Sequence, residues 1–448
     1  MHMMRIGVPQ PRAKALFARL LQAGLQAVDP YEAVCGQVRI RRDQLIIGSH
    51  HYSLARIQRI VVVGAGKASA RMAQALECQL GARIDTGLVV VKYGHGAPTH
   101  TIRIMEAGHP IPDAAGLEGG RMMRELVQTL TAADLLIVLL SGGASSLLPA
   151  PVSGLTLKDK QQTTKLLLRS GATIQEINAV RKHLSSIKGG QLAAATTARV
   201  ASVILSDVIG NDLGTIGSGP TAPDPTTFRD AWDIVERYGV SRKIPLAVRR
   251  RLELGLRKSV SETPKPSAKL FRRVDNILIG DNRAAVDAVA EAAQREGLHT
   301  LVLATTLTGE ARELAKFFGA MAREIAAGGR PIRRPCCVIA GGEPTVTIRG
   351  EGKGGRAQEF ALATAAEIEG LPEMWVAGFA TDGTDGPTSV AGAVVDGQTV
   401  VRAQRKKLNL SKALQENDAH PFFEALHGHI VTGPTGTNVN DLYLLLAL

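Results

Sequence analysis

Eight short apolar runs, at residues 60–63, 87–91, 135–140, 201–205, 276–279, 301–304, 336–340 and 374–379, each give way to Gly, Ser, Thr or Asp and then to a helical pattern. Runs this short suit single buried strands, and their return after each helical stretch calls for parallel sheets with crossover helices. The fold class is therefore α/β. Ligands in open sheets of this kind bind outside the carboxyl ends of the strands, which puts the chemistry in the loops directly after these runs. A chain of 448 residues is too long for one ordinary core, so two domains are expected. The stretch 259–273 is polar, contains prolines and lacks a strand pattern, which marks it as a linker between an N-terminal domain (1–258) and a C-terminal one (274–448).

Aromatic residues make up only 4% of the chain while Gly and Ala are abundant, which favours α/β packing over a β-sandwich. Lys and Arg number 53 against 41 Asp and Glu, a formal charge of +12. The basic residues are interleaved with acids and form no aromatic-rich stripe, which argues against nucleic acid and for an ordinary solvated basic surface. Cys35, Cys78, Cys336 and Cys337 show neither metal-ligand nor redox spacing and read as small buried hydrophobes of a reducing compartment. No apolar run approaches the roughly 18 residues of a membrane span. The first 28 residues carry Arg and Lys without acids, yet Leu16, Leu20, Ala23 and Ala27 fall at helical spacing and Ser is not enriched. That predicts a packed helix rather than a transit peptide, in a soluble, cytoplasmic protein with no membrane partner, for which a homo-oligomer remains open.

Three glycine-rich loops follow such runs. Glycines let backbone N–H groups approach a ligand, and a helix that starts there adds its positive end, so these loops suit phosphate or carboxylate. Gly64-Ala65-Gly66-Lys67-Ala68-Ser69 is neither a dinucleotide fingerprint, because Ser69 replaces its third glycine, nor a Walker loop, because Ala68 stands where Ser or Thr would hold magnesium. What remains is Lys67 at a helix start, where a cation opposes the helix dipole and is better explained by a ligand charge. The loop beginning Ser141-Gly142-Gly143-Ala144-Ser145-Ser146 lacks the Gly-x-Ser-x-Gly elbow of a hydrolase. In the stretch 350–359, Lys353 and Arg356 are the cations, and Arg356 can offer its fork to an anion bidentately. Asp207, Asp382 and Asp385 follow strands directly, where a carboxylate can hold Mg²⁺ or accept a hydroxyl proton, although Asx turns explain any one of them. The stretch 432–441 adds a hydroxyl-rich loop, while His109 and His183 lack a second His at metal spacing and read as hydrogen-bonded histidines.

Together these loops resemble those of the two-domain D-glycerate 2-kinases whose C-terminal part is the MOFRL domain, some of which carry the label hydroxypyruvate reductase. Matching stretches run nearly end to end, at 64–69, 107–113, 141–151, 177–190, 206–225, 341–345, 350–359, 381–395 and 433–446. The resemblance implies a Rossmann-like N-terminal domain with a parallel sheet, and an α/β C-terminal domain whose MOFRL region covers residues 335–446 or thereabouts. It further implies ATP- and Mg²⁺-dependent phosphorylation of D-glycerate to 2-phosphoglycerate in a cleft between the domains. The family's lysine and arginine of catalysis fall on Lys67 and Arg356. Asp207 joins them as a catalytic and metal-binding carboxylate, and Asp212 supplies a second metal ligand where the chain has Gly210-Asn211 in place of the family's Gly-Asp. Substrate and nucleotide contacts are assigned to Gly64, Gly66, Ser69, Ser141, Gly142, Gly143, Ser145, Lys353, Asp382, Asp385, Thr437 and Asn438. Ala357 and Ser389 also depart from the family pattern. The rival readings are an NAD(P)H-dependent hydroxypyruvate reductase and a small-anion-binding protein without turnover.

Overall fold

The computed structural model describes residues 4–448. The chain divides into two compact units: Pro30–Ile279, and Gly280–Leu448 together with the described residues before Pro30.

The first unit is built on a six-stranded sheet in the order Val274–Gly280, Arg199–Leu205, Leu135–Leu140, Ile60–Ala65, Ile84–Lys92, Ile102–Ala107. The last five run parallel. Every residue of Ile60–Ala65 and Leu135–Leu140 is buried. These strands are covered on both faces, which is why they read as continuous apolar runs rather than alternating ones. Each Val or Leu buried in this way contributes about 1.5–3 kcal/mol of transfer free energy. From Ile60–Ala65 the chain moves outward to Ile102–Ala107 and then returns to place Leu135–Leu140 on the other side of the starting strand. The two loops that follow these adjacent strands therefore open at the point where the strand order reverses, the place where open α/β sheets leave a crevice.

A helical layer packs beside this sheet around Leu167, Ile177, Val180, Phe228, Val235 and Leu252. Three of its helices begin with the same local device. Thr156, Thr173 and Thr227 each accept from a backbone N–H three residues on, and the acid at that position bonds back to the threonine's N–H. Each such capping box satisfies two otherwise unpaired donors and fixes where the helix starts.

The second unit holds a seven-stranded sheet in the order Arg5–Ile6, His429–Val431, Gly392–Asp396, Met374–Ala380, Asp441–Ala447, Cys336–Gly342, His299–Leu307. Only the last pair is parallel; the others are antiparallel. The expectation of a parallel sheet holds in this unit only for the run 301–304 beside 336–340 and is otherwise corrected. The C-terminal strand lies between the runs 336–340 and 374–379 and pairs antiparallel with both.

Two further expectations change. Residues 259–273 are not a linker: Glu262 accepts from the Phe228 N–H, Thr263 donates to Asp224, and Arg273 donates to the carbonyls of Ala193, Thr196 and Ala198. Strand Val274–Gly280 extends the first sheet, so the boundary falls at its end, and composition alone could not show these bonds. The helix predicted near the N-terminus forms over Pro11–Ala27 but packs in the second unit, where its buried Leu16, Leu20 and Gly24 face helix Asn282–Arg295. Arg19 pairs there with Glu296, and a Cβ at Gly24 would lie 2.9 Å from Val289. The described residues before Pro30 therefore belong with the C-terminal half. Of the cysteines, Cys336 and Cys337 are buried as expected while Cys78 is exposed. Among the described residues no helix is long and apolar enough to cross a membrane.

Candidate active site

In the first unit the loops after Ile60–Ala65 and Leu135–Leu140 are bonded to one another. The Lys67 N–H donates to the Gly142 carbonyl at 2.8 Å and the Ala68 N–H to Ser141 Oγ at 3.0 Å, while the hydroxyls of Ser69 and Ser141 meet at 2.9 Å. This close approach needs Gly66. Its φ is +140°, and a Cβ there would stand 2.1 Å from Ser141 Oγ and 2.5 Å from the Ser141 carbonyl oxygen. Gly66→Ala is expected to lose at least about 2 kcal/mol, from the strained φ and the backbone clash together, read as a lower urea midpoint. The structure thus brings Gly66, Lys67, Ser69, Ser141, Gly142 and Gly143 into one place, with Lys67 half-buried at its mouth.

His109 belongs to the same place, closer than a plain loop histidine would be. A Cβ at Gly143 would touch its ring at 3.0 Å and Lys67 Cγ at 3.6 Å. Burial, then the nearby charges of Lys67 and Lys92, push His109 down to about 4. Its folded value lies below the ordinary 6.5, so the unfolded chain binds more protons between those limits and stability falls as pH drops from about 6.5 to 4. His109→Gln should flatten that part of a melting-temperature-against-pH curve. His183 fits its bland reading: it is buried, bonded to the Ala179 carbonyl and Glu262, and packed edge-on to Phe228.

Ser145, further along the second loop, is half-buried and lies 2.8 Å from the Ser218 hydroxyl, which donates to Asn178. Lys188 donates to the Ser145 carbonyl at 2.7 Å. Helix Ile174–His183 presents Asn178 and Lys182, four residues apart and so on one face, and Lys182 pairs with buried Asp224 at 3.4 Å. Asp207 stands half-buried just beyond strand Arg199–Leu205, and Asp212 accepts from the Gly214 N–H and the Thr215 hydroxyl.

In the second unit, strand pairing sets Asp441 opposite both Gly342 and Ala380. Arg356 opens helix Arg356–Glu367, and its Nε and one terminal nitrogen bind the two carboxylate oxygens of Asp441, while the other terminal nitrogen donates to Glu343 at 2.8 Å. The fork read from sequence as open to an anion is therefore occupied. Three of its five donors are taken, and two remain for a ligand. Burial pushes the Asp441 carboxyl up to about 7 against the opposing pull of Arg356, and Tyr443 donates to it.

Asp385 is corrected from a ligand contact to a helix cap. It is fully buried and accepts from the N–H groups of Ala357 and Gln358 at 3.0 and 2.8 Å. Thr437 is likewise buried, with its hydroxyl on the Val28 carbonyl. Asp382 accepts from the N–H and hydroxyl of Thr384 in an Asx turn, and Asn438 accepts from the Asn440 N–H. Lys353 is exposed, its N–H held by Asp418. Asp441, Glu343, Lys182 and Lys188 were not singled out from sequence. A guanidinium opening a helix among buried residues requires a carboxylate, the one signal that pointed toward Asp441.

Two family models match the chain: the domain of unknown function DUF4147 over residues 16–253 and the MOFRL family over 336–441. The chain is 41% identical to "Glycerate 2-kinase" of Pyrococcus horikoshii, over 96% of each. The chain belongs to the MOFRL-type glycerate 2-kinase family. The crystal structure of glycerate kinase from Thermotoga maritima is 37% identical and matches with a TM-score of 0.87 over 98% of this chain and 100% of that one. A relative from Agrobacterium vitis named "Putative hydroxypyruvate reductase" is 39% identical over 97% of this chain and 94% of its own length.

Proposed function

We propose that this member of the family is a phosphotransferase that moves the γ-phosphoryl group of ATP to the 2-hydroxyl of D-glycerate. The observation that carries this reading is the pair of glycine-rich loops bonded to one another at the switch point of the parallel sheet, with Lys67 on the first and the Ser145 hydroxyl, beside Ser218, on the second. Phosphoryl transfer passes through a loose transition state, so the protein's task is alignment and neutralisation of charge on the oxygens. Lys67 supplies a cation on a half-buried loop of the first unit; in the second, Arg356 keeps two donors for an anion, the role that the family resemblance implies for it. Substrate carboxylate and phosphates fit the glycine-rich edges better than an uncharged ligand would.

Mg²⁺ fits the residues present. Among the described residues no cluster of three or more His, Cys, Asp or Glu could hold a metal by itself, and magnesium on a nucleotide needs only one or two carboxylates plus phosphate oxygens. Asp207 and Asp212 are the hard oxygen donors near the crevice loops, and the ion would neutralise phosphate charge there. EDTA should abolish ADP release and Mg²⁺ or Mn²⁺ should restore it. Asp207→Asn should raise the metal concentration at half-activity; an unchanged metal titration would move this role to Asp382.

The reductase reading draws on the names of two Agrobacterium vitis relatives. Ser69 in place of the third fingerprint glycine, with its hydroxyl bonded to Ser141 and the Leu139 carbonyl, leaves no room for the close helix–strand approach that glycine would give a dinucleotide. D-Glycerate with Mg-ATP, and separately hydroxypyruvate with NADH or NADPH, distinguish the two: ADP release supports the kinase, and absorbance loss at 340 nm without ADP contradicts it.

A further inference from the structure

Two lysines lie almost wholly buried beneath the second crevice loop, and both are turned toward its backbone. Lys188 is 2% exposed and donates to the carbonyl of Ser145 at 2.7 Å and to its hydroxyl at 3.2 Å; Lys160, 7% exposed, donates to the carbonyl of Pro149. Holding one carbonyl does not require a buried lysine, and interring an amine is costly when it carries charge. Around Lys188 the groups from each packed helix are positive or already neutralised. Helix Leu157–Arg169 contributes Lys160, and helix Ile174–His183 contributes Arg181. Lys182 is spent on Asp224, which is also bound by Thr226 and Thr263. Full burial and the charges of Lys160 and Arg181 push Lys188 well below its ordinary range, which favours the neutral amine with its lone pair.

The Ser145 oxygen thus lies 2.8 Å from Ser218 Oγ and 3.2 Å from Lys188 Nζ, which donates to it in the resting arrangement; at that distance a neutral amine could turn its lone pair to the Ser145 hydrogen. Ser218 passes its own hydrogen to Asn178 at 3.1 Å, which leaves its oxygen free to hold Ser145 in the resting arrangement. Ser145 itself is half-buried, on the loop whose Gly142 carbonyl receives the Lys67 N–H.

We propose that Ser145 and Lys188 form a hydroxyl–amine relay that takes up the proton of the substrate hydroxyl during phosphoryl transfer. The inference rests on the kinase reading above. The substrate O–H gives its proton to Ser145 Oγ as the Ser145 proton moves to Lys188 Nζ, which becomes an ammonium. The substrate oxygen forms its bond to the γ-phosphorus as the bond from that phosphorus to the β,γ-bridging oxygen breaks, and the nucleoside diphosphate leaves with that electron pair. Lys188 then returns the proton through Ser145 to solvent. Ser145 touches substrate in this scheme; Lys188 is a positioning and proton-holding residue that acts through it.

The test measures ADP release with D-glycerate and Mg-ATP between pH 5.5 and 9.5 for the intact chain and for Ser145→Ala, Lys188→Met and Lys188→Arg. A general-base relay contributes about 10²–10⁴-fold. Ser145→Ala and Lys188→Met are each expected to lower kcat by at least about 10²-fold with KM little changed, and the double variant should be no worse than the poorer single one, as for groups acting as a unit. The unmodified chain should lose kcat on the acid side as the amine takes up a proton, and the residual activity of the variants should lack that limb. Lys188→Arg keeps donors for the Ser145 carbonyl but cannot accept a proton, so it should stay as slow as Lys188→Met. Recovery of near-native kcat in Lys188→Arg, or an unchanged kcat and acid limb in Ser145→Ala, would mean that Lys188 only supports the loop and would overturn the relay. Absence of ADP release from the unmodified chain would overturn the kinase reading and the relay together.

Discussion

Arg356→Ala should lower both activity and stability, and the two losses should be separable. Its guanidinium is the partner of Asp441, whose side chain is 1% exposed. Removing it strands a carboxylate among Tyr443 and the strands Cys336–Gly342 and Met374–Ala380. Breaking a buried pair from one side costs roughly 3–5 kcal/mol. Loss of a preorganised charge at a phosphoryl group lowers kcat/KM by about two to four orders of magnitude. Asp441→Asn in the same chain removes the stranded charge while Tyr443 can still donate to the amide oxygen. The double variant should therefore regain most of the urea midpoint and none of the turnover. If the double variant recovers activity as well, Arg356 serves only to neutralise Asp441.

Lys67→Ala should show the kinetic loss alone. Lys67 is half-buried at the end of strand Ile60–Ala65, and the bond that joins its loop to Gly142 comes from its backbone, which alanine keeps. A drop in kcat/KM of about two to four orders of magnitude is expected, with a far smaller change in melting temperature, since the backbone bonds that join the two loops remain. Near-native turnover with unchanged circular dichroism would make Lys67 a bystander.

The strands of the first unit and the crevice at its switch point were legible because local signals decide them. Continuous apolar runs such as Leu135–Leu140 and the glycines beside Lys67 report strand burial and close backbone approach within a few residues of each other. What was not legible depends on partners far apart in sequence. Asp385 reads as a strand-end carboxylate, and only the fold shows it capping a helix that starts 29 residues earlier, at Arg356. The polar stretch 259–273 has the composition of a linker, yet Thr263 and Arg273 bond to residues some 40 to 80 positions away. Lys188 looks like a surface charge in a Gly-rich segment, and its burial under Ser145 follows from where helix Ile174–His183 ends. The antiparallel second sheet was missed for a similar reason: the strand that separates its two apolar runs is the last in the chain.

The central claim is that the paired crevice loops serve phosphoryl transfer to a hydroxy acid. Its most direct measurement incubates the purified chain with D-glycerate and [γ-³²P]ATP in Mg²⁺ and follows the label by chromatography, beside Lys67→Ala as control. The account predicts label in 2-phosphoglycerate, matched by ADP, with both falling at least about 10²-fold in the control. Label that stays in ATP or appears only as inorganic phosphate, with hydroxypyruvate reduced at the expense of NADPH by the same preparation, would contradict it.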